Sequence, residues 1–279
     1  MTTPLQEGTV NPEDFSAERD HLTVERSASG LVLVTLDYPE RRNAMSGEMT
    51  SAWGRLAAAI KMDPTVRAVV VTGAGTAFTS GGDTGWIGGD PDATVDELRT
   101  KMMAFYRTWL SMRDVPVPVI AAMNGAAVGA GAGIALAADI RIASENAKFT
   151  VPFLKLGIHP GMATTYLLPE VVGVAAARDL LLTGRVIGAQ RMLELGLVSE
   201  VLPADGFVDA ACALGETVAS MAPIATRLTK AALLRGGMDS IDECIQWEAL
   251  AQPITMATAD LQEGLSAAAQ KRPPHFTGR

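Results

Sequence analysis

Short apolar runs alternate with stretches of helical periodicity along the first two thirds of the chain. From His21 to Asp37 two β-rich runs flank Ser27-Ala28-Ser29-Gly30, which predicts a hairpin. Ser46 is placed to cap a helix over residues 46–62, where Met49, Trp53, Leu56 and Ile60 recur at helical spacing. Val66 to Thr72 is an apolar β-branched run and reads as a buried strand. Residues 73–89 are rich in Gly and Thr and read as a loop. An amphipathic helix is predicted over residues 95–112 and another buried strand over 115–123. Asn124-Gly125 then signals a turn, after which small residues run into a helix. Ile140 to Ala143 and Lys148 to Val151 are short strand candidates. Beyond about residue 175 the pattern is helical as far as Ala269, with Leu197 to Val201 as the remaining strand candidate. Strands alternating with helices predict an α/β fold class. The expected division is a loose polar arm over residues 1–20, a core over 21–200 and a helical C-terminal region over 201–279.

Composition narrows the function classes. The 279 residues are 48% hydrophobic and 19% charged, which suits a globular chain with one large core. A net charge of −8 without a basic stripe argues against a nucleic-acid partner, so an anionic ligand must be held by local Lys, Arg or backbone groups. No run reaches about 18 uninterrupted apolar residues, so no membrane span is expected. The polar, acidic start lacks the features of a signal peptide. Cys212 and Cys244 lie far apart, without metal or disulfide spacing, and a cytoplasmic location is the simplest expectation. The histidines, at 21, 159 and 275, form no metal set, so no metal site is expected.

Two glycine-rich turns carry candidate chemistry. Gly81-Gly82-Asp83 and Gly129-Ala130-Gly131 each follow a predicted strand. Small residues let a ligand approach the backbone, and a helix N-terminus offers free N–H groups. Such donors suit negative charge that develops on a carbonyl oxygen. Gly129, Gly131 and Gly133 also spell GxGxG, but the dinucleotide fingerprint needs G-x-G-x-x-G at the first strand–helix turn, so that class is unsupported. No nucleophile elbow or Walker A pattern is present.

Four stretches in order, PERRNAM (39–45), VVVTGAGTAFTSGGD (69–83), PVIAAMNGAAVGAGAGIALAADIRIASENAKFTVPFLKLGIHPG (118–161) and TADLQEGLSAAAQKRPPHF (258–276), together resemble the crotonase superfamily, the enoyl-CoA hydratase/isomerase family. LLLTGRVIGAQRMLELGLVSEVLP adds to the likeness, which covers roughly residues 22–279. The resemblance implies a crotonase-type core of repeated strand–strand–helix units, with a helical C-terminal region that mediates homotrimers, in some members paired into hexamers. It implies an acyl-CoA thioester as ligand, coenzyme A being part of the substrate and no separate cofactor being needed, and a place in fatty-acid or related metabolism. The oxyanion donors would be the N–H groups of Gly82 and Ala130, the latter standing where the family more often has Gly. Arg42, Ala44 and Met45 would line the coenzyme A groove, with Ser80 and Gly81 near the adenine and pantetheine. Lys271 and Phe276 would meet the nucleotide end, of their own or of a neighbouring subunit, where Lys suits phosphate.

The chain departs from the family at the acid–base positions. The two glutamates of the hydratases match Gly133 and Phe153 here, and neither residue moves a proton. Phe153 and Gly161 likewise leave the isomerases' carboxylate unprovided. Asp83 and His159 are the candidate acid–base groups, with Tyr166 and Glu170 further along; Asp83 also reads as a loop carboxylate, and His159 as a structural histidine in a turn. Trp86 and Phe153 are candidates for shaping the acyl pocket or for the core. Met102, Met103, Tyr106 and Leu110 follow helical spacing and read as a core stripe or the acyl end. Two functions stay open: a lyase or isomerase acting on acyl-CoA by a route without glutamate, or a non-catalytic acyl-CoA-binding protein of the same fold. Standard hydration is not expected of either.

Overall fold

The computed structural model describes residues 9–83, 85, 88, 92–234 and 240–279. The hairpin forms as expected: β1 (Leu22–Arg26) pairs antiparallel with β2 (Leu31–Leu36). Helix α2 (Gly47–Met62) follows, and the Ser46 hydroxyl accepts from the Met49 N–H at 3.1 Å, the N-cap that the sequence predicts. Met49, Trp53, Leu56 and Ile60 are all fully buried along one face. Each such side chain contributes about 1.5–3 kcal/mol on leaving water.

Three further units repeat a strand–strand–helix order. They are β3 (Ala68–Gly73), β4 (Ala77–Thr79) and α3 (Val95–Leu110); β5 (Val119–Met123), β6 (Ala126–Val128) and α4 (Ala130–Ala137); and β7 (Ile140–Ser144), β8 (Lys148–Thr150) and α5 (Thr164–Thr183). The first strand of each unit joins one sheet and the second joins another. A six-stranded sheet runs β1-β2-β3-β5-β7-β10, and a four-stranded sheet runs β4-β6-β8-β9, where β9 is Ile187–Gly188 and β10 is Glu200–Leu202. All pairings beyond the hairpin are parallel except β8 with β9. The glycine-rich turns at 81–83 and 129–131 follow the small-sheet strands β4 and β6, where the chain leaves that sheet.

Several expectations need correction. The segment over 73–89 contains β4, and the small-residue run after Asn124-Gly125 forms β6 before its helix starts. Residues 9–20 are not a loose arm. Val10 and Phe15 are buried, and the Val10 N–H donates to the Asp63 carboxylate at 2.8 Å. Short helical turns at Pro12–Asp14 and α1 (Ala17–Asp20) complete this docked segment. The boundary at residue 200 also cuts through the core, since β10 extends the large sheet. After α6 (Ala189–Glu194), α7 (Phe207–Ala219) packs Phe207, Ala211 and Ala219 against Leu31, Val70, Ile120 and Ile142 on the sheet's second face. The helical region continues through α8 (Pro223–Leu234), α9 (Ile241–Met256) and α10 (Ala259–Gln270). No described residue of α9 is buried, and Ile241, Ile245, Leu250 and Ile254 face solvent.

Candidate active site

One buried asparagine ties the first two motifs together. Asn43 Nδ2 donates to the carbonyls of Ala74 (2.9 Å) and Ala77 (2.8 Å), and its Oδ1 accepts from Tyr38 N (2.9 Å). Thr79 Oγ1 donates to the Asn43 carbonyl at 2.6 Å, Ser80 N to Arg42 O at 2.9 Å, and Met45 N to Gly81 O at 2.9 Å. The loop over 39–45 is therefore clamped to the end of β4, and Met45 and Gly82 form a parallel bridge. Sequence reasoning gave Asn43 no role, because the carbonyls to which it donates lie more than thirty positions away.

The turn at Gly81 meets the turn at Gly129 at close range. Gly81 has φ +89°, and a methyl group there would lie 2.5 Å from the Val128 carbonyl and 3.1 Å from the Ala130 nitrogen. Only glycine satisfies both the positive φ and that approach. Gly129 (φ 56°, ψ −112°) then starts α4, with no side chain capping the helix. Among the described residues the N–H groups of Gly82 and Ala130 donate to no protein acceptor. Both residues line the same cavity, of about 350 Å³. A helix N-terminus with unpaired N–H groups at a cavity wall attracts an oxygen carrying negative charge.

The rest of the wall is mostly apolar. Helix α3 supplies Leu98, Met102, Phe105 and Tyr106; the segment after β8 supplies Pro152, Phe153, Leu156, Ile158, His159 and Met162. Helix α3 is held in place by Trp53 and Trp109, whose ring centroids are 4.9 Å apart. The Trp53 indole N–H donates to the Trp109 carbonyl, and the Trp109 indole N–H donates to the Thr50 hydroxyl, both at 3.1 Å. The Phe153 ring lies over the Gly129 turn, 3.8 Å from where a methyl on Gly129 would be. Met103 and Leu110 are not among the lining residues, so the stripe divides: Met102 and Tyr106 face the cavity. Trp86 lies outside the described residues.

Gly133 has no room for a side chain. A methyl there would stand 2.5 Å from Met162 Cβ and 3.3 Å from the Met162 carbonyl oxygen. Met162 is fully buried and has φ +55°. The space that a residue at 133 would use is thus filled by a methionine on a strained backbone.

The two acid–base candidates part company. Asp83 is not among the cavity's lining residues. It pairs with Arg41 at 3.1 Å and accepts from the Gly85 N–H at 2.8 Å, and its carboxylate holds the Arg41 guanidinium above its ordinary pKa. These are the bonds of a loop carboxylate. His159 does line the cavity. Its Nδ1 lies 2.8 Å from the Pro160 carbonyl, which only accepts, so Nδ1 carries the proton and Nε2 of the neutral ring keeps its lone pair. Tyr166 and Glu170 are exposed and do not line the cavity. Burial raises the pKa of the Tyr106 phenol, so it stays protonated at neutral pH.

The expected coenzyme A residues are dispersed. Ser80 and Gly82 line the cavity, with Gly81 buried between them. Arg42 is exposed at φ 52°. Ala44 and Met45 are buried at 7% and 3% exposure, so they offer a groove backbone and not side chains. Lys271 and Phe276 do not line the main cavity. Lys271 is exposed at the end of α10, and Phe276 lines a separate cavity of about 270 Å³ between α8, α9 and α10. The tail is tied to its own chain. Arg67 donates to the Phe276 carbonyl at 2.9 Å, and Asp260 accepts from the N–H groups of Thr277 (2.7 Å) and Gly278 (2.9 Å).

Comparison with known proteins gives a consistent answer. The family model described as enoyl-CoA hydratase/isomerase matches residues 26–279. The 1,2-epoxyphenylacetyl-CoA isomerase of Escherichia coli is 35% identical, over 90% of this chain and 96% of the relative. The (E)-benzylidenesuccinyl-CoA hydratase of Thauera aromatica is also 35% identical, over 88% of this chain and 94% of the relative. The crystal structure of an enoyl-CoA hydratase from Bacillus anthracis superposes with a TM-score of 0.87 at 33% identity, covering 93% of this chain and all of that one. The chain therefore belongs to the enoyl-CoA hydratase/isomerase family and has the crotonase fold.

Proposed function

We propose that this chain binds an acyl-CoA thioester with its carbonyl oxygen between the N–H groups of Gly82 and Ala130, and acts on it through an enolate. The observation that carries the reading is the meeting of those two unpaired donors at one wall of an otherwise apolar cavity. The relatives named above act on CoA thioesters, which supports the same ligand class.

In this reading His159 Nε2 accepts the α-proton. The C–H electron pair becomes the C=C bond of the enolate, and the carbonyl π pair moves onto oxygen, where two N–H groups hold it. Loss of one such donor typically costs about 10²–10³ in rate, and a positioned base contributes about 10²–10⁴. Return of the proton to the α-carbon gives exchange; return to the γ-carbon of an unsaturated chain moves the double bond. Neither step calls on a group beyond the thioester and the protein. Standard hydration is not part of the proposal, since it needs a carboxylate to activate water, and Gly133 and Phe153 stand where the family resemblance places the hydratase glutamates. The exposed apolar residues of α9 support an oligomer, and we include a homotrimer in the proposal.

The test is incubation with a panel of saturated and unsaturated acyl-CoAs in heavy water, followed by mass spectrometry. Wild type should take up deuterium at the α-carbon, His159→Ala should lose about 10²-fold or more of that rate with binding kept, and Asp83→Asn should keep it. Tight binding without uptake in wild type would overturn the enolate step and leave an acyl-CoA-binding protein.

A further inference from the structure

The mechanism above does not use two polar side chains of the cavity, Ser80 and Tyr106, and the Ser80 hydroxyl already donates to the Arg41 carbonyl at 3.2 Å. Tyr106 lines the same cavity as Gly82 and Ala130. Its hydroxyl makes no hydrogen bond among the described residues. A methyl group on Gly161 would overlap that hydroxyl, and its three closest neighbours would all be atoms of the Tyr106 side chain. Gly161 does not have a positive φ, so the backbone does not require glycine there. What glycine provides at 161 is room for the phenol oxygen.

A phenol in an apolar wall with nothing to bond is costly: a half-buried donor without a partner loses part of its hydration and gains nothing. Phenylalanine would fill the same space without that cost. The raised pKa keeps the group protonated, so it is a donor. Among the described residues, those lining the cavity include no Lys or Arg. A carboxylate on the acyl chain would therefore be desolvated without a cation, whereas a neutral oxygen would find a donor.

Resting on the acyl-CoA reading above, we infer that the Tyr106 hydroxyl donates a hydrogen bond to the acyl group, so that the cavity favours CoA thioesters bearing a neutral oxygen, such as a hydroxyl or ketone, over plain hydrocarbon chains. Gly161 is the positioning residue that leaves the phenol its place. One neutral hydrogen bond is worth a factor of about 3–10 in affinity.

The test measures Kd by calorimetry for hexanoyl-CoA and for hexanoyl-CoAs that carry a hydroxyl or a ketone on each of the β to ε carbons. Wild type should bind at least one oxygenated thioester about 3–10-fold more tightly than hexanoyl-CoA. Tyr106→Phe should erase that preference and leave hexanoyl-CoA affinity within about twofold, as loss of a single specific bond requires. Gly161→Ala, which keeps the phenol but displaces it, should erase the same preference. A panel bound without preference, a preference that survives Tyr106→Phe, or an equal loss for hexanoyl-CoA would overturn the inference and leave Tyr106 as wall. Failure of wild type to bind any of the thioesters would overturn the acyl-CoA reading itself, and this inference with it.

Discussion

Gly133→Ala decides between two opposed forces. Gly133 lies in the second turn of α4, and replacing an interior helical glycine by alanine ordinarily stabilises by about 0.5–1 kcal/mol. The structure predicts the opposite sign. The new methyl would stand 2.5 Å from Met162 Cβ, with Met162 Cγ and the carbonyl oxygen each at 3.3 Å. The clash is with a Cβ, so it cannot be relieved by rotating the methionine about χ1. Nor is the backbone free, since Met162 sits at φ +55° and Thr164 Oγ1 donates to the preceding Gly161 carbonyl at 2.8 Å. Overpacking of this kind costs about 1–3 kcal/mol. Mid-range values, a cost of about 2 kcal/mol against a gain of about 0.75 kcal/mol, leave a net loss of about 1 kcal/mol, or roughly 2–4 °C in Tm for a chain of this size. Thermal and urea denaturation of Gly133→Ala, Met162→Gly, which removes the clashing Cβ, and the double variant measure it. The double variant should be less destabilised than the sum of the singles by about 1 kcal/mol or more, because the second change removes the first one's obstacle. Gly133→Ala at or above wild-type stability, or an additive cycle, would refute the reasoning. The same packing explains why Gly133→Glu alone should not create a hydratase: the carboxylate has no place to stand while Met162 fills it.

Gly81→Ala should be more severe, since the methyl meets the Val128 carbonyl at 2.5 Å on a backbone at φ +89°, and neither can give way cheaply. Acyl-CoA affinity should fall together with stability, and a folded variant with unchanged affinity would contradict the approach of the two turns. Acid should release the C-terminal tail. Bonds from Arg272 and the His275 N–H lower the pKa of Glu263 from 4.5 to about 2, so the ionised form holds the tail; that hold is complete above about 4.5 and lost as pH falls through about 2. The Phe276 ring resonances, followed by NMR, should stay constant above this window and move within it, and Glu263→Gln should show the acid-side positions at neutral pH. A profile flat down to about 2 would remove Glu263 from the tail's attachment.

Local patterns made much of the fold legible. Ser46 caps its helix, the four apolar residues of α2 are buried, and the hairpin closes at Ser27–Gly30, because each depends on residues close in sequence. Strands β4 and β6 escaped because each is three residues of mostly small side chains, and their order comes from pairing with one another and with β8. The buried edge of residues 9–20 escaped for a similar reason: its polar composition hides Val10 and Phe15, and the Val10 N–H is held by Asp63, far along the chain. At the site, the turns at 81–83 and 129–131 stand out in the sequence as small residues after strands and His159 as a histidine near a turn, while the choice of Gly82 and Ala130 within those turns comes from the family resemblance. Met162 against Gly133 and Tyr106 against Gly161 were not readable, since no spacing rule says which side chain fills the place of a missing one. Asp83 read as two alternatives, and its bonds to Arg41 and Gly85 match the loop-carboxylate reading.

The most direct test of the central claim observes the thioester carbonyl itself. Difference infrared spectra of a bound acyl-CoA labelled with carbon-13 at the carbonyl report how strongly hydrogen bonds polarise it. Ala130 is the first residue of α4, where proline is tolerated, so Ala130→Pro removes one N–H without breaking the helix. The account predicts a carbonyl band shifted to lower frequency on binding to wild type, and a smaller shift in Ala130→Pro. A band at its solution frequency in wild type, or a shift that the variant leaves unchanged, would contradict the placement of the thioester oxygen between Gly82 and Ala130.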